Sequence, residues 1–168
     1  MDGKIIAISG SVGSGKTTIS DLLGEKLGCK VIHLNELAKK YKLEDVARKQ
    51  TFDFDLAKLL EDFEKDLIKI KQAGGSVIVE SHFAHFISPE IVDILFIINR
   101  DQKELEGVYD ERDYDFEKIR DNLEAENFNV CFYEAIEEGY EEEKQVFAIE
   151  NCDLNESLNS IFEFICDS

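Results

Sequence analysis

Short apolar runs alternate with longer amphipathic stretches along the whole chain. Ile5-Ile6-Ala7-Ile8 reads as a buried strand, and Ile19, Leu22, Leu23 and Leu27 follow at helical spacing. Lys30–Leu34 (KVIHL) makes a second short strand, residues 35–42 read as helix, and 43–54 form a mixed polar stretch. Asp55 stands where an N-cap belongs, ahead of Leu56, Leu59, Leu60, Phe63, Leu67 and Ile70 on one helical face, and Gly74-Gly75 stops that helix. Ser76–Glu80 (SVIVE) is an apolar strand that finishes on a carboxylate, and Ile91–Asn99 (IVDILFIIN) contains another that leads into Arg100. Helical spacing returns over 102–109. It then runs as one long helix from Phe116 through Ile119, Leu123, Phe128, Cys131 and Ala135. Gln145–Ile149 is the last strand, and Leu154, Leu158, Ile161, Phe162 and Ile165 stripe a C-terminal helix. Strands of this kind, alternating with helices, predict an α/β fold with a five-stranded parallel sheet between two helical layers. Ligands of such sheets bind at the carboxyl ends of the strands. Ser9-Gly10, Leu34-Asn35, Glu80-Ser81 and Asn99-Arg100 all lie there.

The first of these ends carries the most specific signal. Residues 10–18 read GSVGSGKTT, which completes G-x-x-x-x-G-K-[ST] as Gly10, Gly15, Lys16 and Thr17. The glycines let successive backbone N–H groups converge on phosphate oxygens, and the following helix adds the positive end of its dipole. Lys16 reaches the β- and γ-phosphates of a nucleotide, and the Thr17 hydroxyl can ligate Mg²⁺. The strand before and helix after supply the context that the motif needs. Gly10, Ser11, Val12, Gly13, Ser14, Gly15, Lys16, Thr17 and Thr18 are therefore the expected phosphate loop of a three-layer P-loop NTPase fold.

Composition narrows the field. A chain of 168 residues with 43% hydrophobic content is read as one domain, 1–168. No run is long enough to span a bilayer, and the N-terminus lacks the pattern of a signal peptide, so a cytoplasmic protein is expected. The four cysteines, Cys29, Cys131, Cys152 and Cys166, show no metal-type spacing and read as reduced thiols. The net charge is −18, and −12 of it falls between Asp101 and Lys144, where 17 acidic residues face 5 basic ones. Such a field repels DNA and favours basic partners, although a solvated acidic helix surface explains it equally well.

Beyond the loop, Glu80 ends a strand that should lie beside it, where a carboxylate can organise Mg²⁺ and its waters. His82 and His85 follow in ESHFAH with no third metal ligand nearby in sequence. His82 could touch phosphates or orient a water; the bland alternative is a structural histidine. Arg100 and Arg112 are two of only four arginines, and phosphoryl transfer needs cations placed where charge spreads over the γ-phosphoryl oxygens.

GSVGSGKTT, HLNELAKKYKL, VIVESHFAHF, FIINR and ERDYDFEKIRDNLEAENFNVCFYEA together resemble the adenylate kinase isoenzyme 6 family, its archaeal branch in particular. The likeness runs from the first strand through the long helix. It implies a nucleoside-monophosphate-kinase fold with Mg-ATP in the phosphate loop and AMP as acceptor. The NMP-binding segment would be about 35–60 and the lid about 106–116. It also implies ATPase activity and a role in maturation of the small ribosomal subunit, bound to a basic small-subunit ribosomal protein. By position, Glu80 matches the Mg²⁺-linked acid, His82 the histidine tied to ATP hydrolysis, Arg100 the arginine beside adenine and phosphates, and Arg112 the second lid arginine. Lys39 stands where the family has an arginine for the acceptor phosphate. Val108 stands at the first lid arginine and Asp113 at the lid glycine. Lysine keeps the charge but loses the bidentate fork, and valine donates nothing. The resemblance thus leaves two roles open: a Mg-ATP-dependent adenylate kinase with weak ATPase activity, or an ATP-switched ribosome assembly factor with little AMP kinase activity. A P-loop kinase for another small acceptor is a third.

Overall fold

The computed structural model describes residues 3–38, 42–46, 51–111, 116–127 and 129–167. Its main sheet has five strands in the order β2-β5-β1-β6-β7, where β1 is Ile5–Ser9, β2 Lys30–His33, β5 Val77–Glu80, β6 Ile94–Asn99 and β7 Val146–Glu150. Every pairing in it is parallel. The five expected strands are all present, each within a residue or three of its expected bounds.

The period-2 alternation of strand side chains divides the core into two. Ile5, Ala7, Val77, Val79, Leu95 and Ile97 face one helical layer, which includes α3 (Leu56–Gln72) through Leu59, Phe63 and Leu67. Ile6, Ile8, Ile78, Ile94, Phe96 and Ile98 face the other, built from α1 (Lys16–Leu27) and α7 (Leu154–Asp167). Because both faces are covered, the central strands carry near-continuous apolar runs. Asp55 caps α3 as expected, accepting a hydrogen bond from the Lys58 N–H at 3.0 Å.

Three expectations need correction. Helix α2 occupies Leu34–Ala38, so Leu34 belongs to the helix and not to the second strand. The mixed stretch 43–54, together with Lys42 from the expected helix 35–42, holds an antiparallel pair, β3 (Lys42–Val46) with β4 (Thr51–Phe54), which stands apart from the main sheet. The long helix from Phe116 is two helices, α5 (Phe116–Asn127) and α6 (Val130–Glu137), and Asn129 before α6 is left-handed with φ 49°. The segment before them is α4, Gln102–Glu111. A 3-10 turn, Ala84–Phe86, follows β5. No helix among the described residues is long and apolar enough to cross a membrane, and none of the four cysteines forms a disulfide.

Candidate phosphate-binding site

The loop between β1 and α1 is folded by its glycines and clamped by the neighbouring strands. Gly10 has φ 137°, and a Cβ there would lie 2.2 Å from the Ile98 carbonyl oxygen, so only glycine lets the chain leave β1 beside β6. Gly15 has φ 94°, and its Cβ would meet the Asn151 side-chain nitrogen at 2.4 Å. That nitrogen donates to the Ser14 carbonyl at 2.8 Å, while the Ser14 N–H reaches the Ser11 carbonyl at 3.4 Å. Helix α1 starts at Lys16 with Gly15 as its N-cap and no side-chain cap. Its first-turn N–H groups have no carbonyl a turn earlier, which makes this end an anion site. Lys16 is buried, and its ammonium lies over the loop, donating to the Ser11 carbonyl at 2.9 Å. Thr17 and Thr18 are exposed at the helix end.

Helix α4 covers the loop. The Tyr109 hydroxyl donates to the Val12 carbonyl at 2.6 Å, and Arg100 Nη1 donates to the Gly13 carbonyl at 3.3 Å. Arg100 Nε also pairs with Glu104 at 2.8 Å. The space beside Gly13 is filled by Val108, Tyr109 and Leu105.

The end of β5 supplies a carboxylate. Glu80 stands opposite Ile8 of β1 on one side and His33 of β2 on the other. His33 Nδ1 donates to Glu80 Oε2 at 2.8 Å, and Nε2 is 3.1 Å from Asp21 on α1. An imidazole whose two nitrogens both face carboxylates donates from both when it is protonated. The Glu80 hydrogen bond, foremost, and the Asp21 charge hold the His33 pKa above its ordinary value.

Just past Glu80, the Ser81 hydroxyl donates to Asn35 Oδ1 at 2.7 Å. His82 is an exposed residue, but the Phe83 ring packs edge-on against its imidazole, with the ring centroids 4.7 Å apart. Desolvation of the ring, then the charges of Lys16 and His85, push its imidazole down to about 4. His85 is buried, and burial pushes its imidazole down to about 4. It bridges Ser9 Oγ at 2.7 Å and Glu134 Oε2 at 3.0 Å. In the neutral ring the Ser9 hydroxyl donates to Nδ1 and Nε2–H donates to Glu134. The fold also brings Cys131 to this pair, with donor atoms of His85, Cys131 and Glu134 within 4.8 Å of one another. Sequence spacing had offered no third donor; the fold supplies one, and the His85–Glu134 hydrogen bond accounts for the proximity.

Four side-chain atoms among the described residues are buried with no hydrogen-bond partner: Ser11 Oγ, Ser14 Oγ, Glu80 Oε1 and Asn151 Oδ1. Such orphans are costly and call for an explanation. Two are on the phosphate loop, one is on the residue that clamps it, and one is on the acid beside β1. Bound phosphates and a hydrated Mg²⁺ would satisfy donors and acceptors of this kind, so the residues fit Mg-ATP.

The structure thus brings Gly10–Thr18, Glu80, His82 and Arg100 to one end of the sheet. Lys39 and Arg112 lie outside the described residues. His33, Tyr109 and Asn151 escaped the sequence reading. For His33 a signal was present, since it falls at the carboxyl end of a strand, where ligands of such sheets bind.

Fold and loop together define a P-loop protein of the kinase class. The AAA domain family model matches residues 6–129. A Thermococcus kodakarensis protein named "Putative adenylate kinase" is 34% identical over 134 residues, which is 80% of this chain and 71% of that one. A Methanococcus maripaludis protein of the same name is 32% identical over 170 residues, covering 96% and 88%. The fold is also that of a Janibacter sugar kinase (TM-score 0.69, 13% identity, 97% and 94% covered) and of Ehrlichia chaffeensis thymidylate kinase (TM-score 0.56, 16% identity, 99% and 100% covered). The chain belongs to the AAA-domain P-loop family and, within it, to the family of these archaeal adenylate-kinase-like enzymes.

Proposed function

We propose that the protein transfers the γ-phosphoryl group of Mg-ATP to AMP, giving two ADP, with slow ATP hydrolysis as a side reaction. The four orphaned polar atoms around the Lys16 loop carry this reading. In it the loop N–H groups and the α1 N-terminus hold the phosphates, and Lys16 shifts from the Ser11 carbonyl to the transferring group. Thr17 and Glu80 hold Mg²⁺, partly through water; when bound, the ion neutralises phosphate charge. Arg100 and the lid residue Arg112 face the phosphate chain, and His82 orients water for hydrolysis. Lys39, in an acceptor-binding segment of about 35–60, meets the AMP phosphate. No covalent enzyme intermediate is needed, because positioning and charge stabilisation supply the catalysis. ADP formation from Mg-ATP should rise strongly with AMP, and Lys16→Ala should abolish the rise. Hydrolysis indifferent to AMP would overturn the kinase reading.

One observation favours a second role. Val108 puts an apolar side chain against Gly13, where a lid cation would strengthen phosphoryl transfer. In that role ATP binding and hydrolysis switch the grip of the acidic surface on a basic small-subunit ribosomal protein during subunit maturation. Capture of such a protein should then differ between ATP, ADP and no nucleotide; equal capture in all three sinks the switch.

A further inference from the structure

We propose that His33 is a positioning residue that aims the Glu80 carboxylate at the metal-nucleotide. This rests on reading the loop as a Mg-ATP site.

The backbone register puts His33 and Glu80 side by side at the ends of adjacent parallel strands. A glutamate side chain has three rotatable bonds, so a strand end alone does not fix its oxygens. Here one oxygen is fixed: Oε2 takes the His33 N–H at 2.8 Å. The other, Oε1, is buried and has no partner. The imidazole is itself held at its far nitrogen, 3.1 Å from Asp21 on the helix whose first turn forms the phosphate loop. Asp21, His33 and Glu80 thus tie α1, β2 and β5 into one frame. Glu80 is left a single lone acceptor at the strand end beside the loop.

If His33 served only to satisfy a buried carboxylate, both oxygens would need partners, and only one has one. An arrangement that ties one oxygen and leaves the second vacant is what a carboxylate needs to accept from a metal-bound water or to ligate the metal. Residues that orient a metal's ligands typically change metal affinity about 10- to 100-fold when removed. Asn in place of His33 keeps a donor near the Nδ1 position but cannot also reach Asp21.

The test is Mg²⁺ titration of fluorescent ATP-analogue binding, alongside melting temperature. In wild type, Mg²⁺ should tighten the analogue. His33→Ala should need about tenfold more Mg²⁺ for the same effect, with binding in EDTA unchanged. His33→Asn should restore most of the Mg²⁺ response, and Glu80→Gln should abolish it. An unaltered Mg²⁺ requirement in His33→Ala overturns the proposal. So does a fall in melting temperature and in EDTA binding that accounts for the whole effect, which would make His33 structural. A wild-type protein that binds no analogue at all overturns the Mg-ATP reading itself, and the proposal with it.

Discussion

Asn151, just past the end of β7, donates from its side chain to the Ser14 carbonyl at 2.8 Å, so the last strand of the sheet clamps the phosphate loop that follows the first. Both groups are buried. Asn151→Ala strands the Ser14 carbonyl, at a cost of about 1–3 kcal/mol. Urea denaturation should show that loss, and ATP-analogue affinity should fall with it. Gly15→Ala should be worse, because its methyl group would displace the same nitrogen at a positive φ. Full stability in Asn151→Ala would mean that the clamp is incidental.

Tyr109 holds the loop from the other side. The side chain is fully buried, and its hydroxyl reaches the Val12 carbonyl at 2.6 Å. Tyr109→Phe keeps the ring packing and removes only the donor. We expect a loss of about 1 kcal/mol in stability and weaker nucleotide binding. The two effects separate if nucleotide protects the variant from proteolysis as well as it protects wild type, which would confine Tyr109 to folding.

How far the sequence foretold this site follows from how local each part is. The phosphate loop is nine consecutive residues, so its chemistry stands complete in the sequence. The five strands announce themselves because both of their faces are buried. His33–Glu80, Tyr109–Val12 and Asn151–Ser14 are separated by 47, 97 and 137 residues, so only the folded sheet brings them together. The β3–β4 pair was illegible because KLEDV and TFDF are short, carry acids, and pair outside the main sheet. The break between α5 and α6 was hidden for another reason: Leu123, Phe128 and Cys131 keep a helix-like spacing across it, while Asn129 turns left-handed without a glycine to mark the place.

Acid should unfold this protein partly through His85. Its imidazole titrates near 6.5 in the unfolded chain and is pushed by burial down to about 4 in the fold. The native state then binds fewer protons than the unfolded state between those values. The stability from keeping the ring neutral is complete above about pH 6.5 and is lost as pH falls towards 4, by about 3 kcal/mol at most. Glu134, raised by its own burial and by Glu137, binds its proton more readily in the fold than in the unfolded chain and so acts in the opposite sense. His82 shifts the same way as His85 but is exposed, so it contributes less. Urea midpoints between pH 7 and 4.5 should fall more steeply in wild type than in His85→Gln. Parallel slopes would show that the ring does not control acid stability.

Val108 decides between the two proposed roles. A Cβ on Gly13 would meet its Cγ1 at 3.2 Å, so the side chain lies against the loop, and the proposed kinase role would set a lid cation at this position. If chemistry is slowed because that cation is absent, Val108→Arg supplies it from a helix already seated on the loop. One well-placed donor to transition-state charge is worth about 100- to 1000-fold in rate, and an unevolved arginine should recover only part of that. AMP-dependent ADP formation should therefore rise by about tenfold or more, with the AMP-independent rate rising less. The measurement is coupled ADP release at saturating Mg-ATP across an AMP series, with Lys16→Ala as the blank. A gain confined to the AMP-dependent rate supports a kinase whose lid has weakened. No gain, in a variant that melts like wild type and binds the ATP analogue equally well, means that α4 is a fixed roof over the nucleotide and not a source of catalytic charge. The assembly-factor role would then be the better account of what ATP does here.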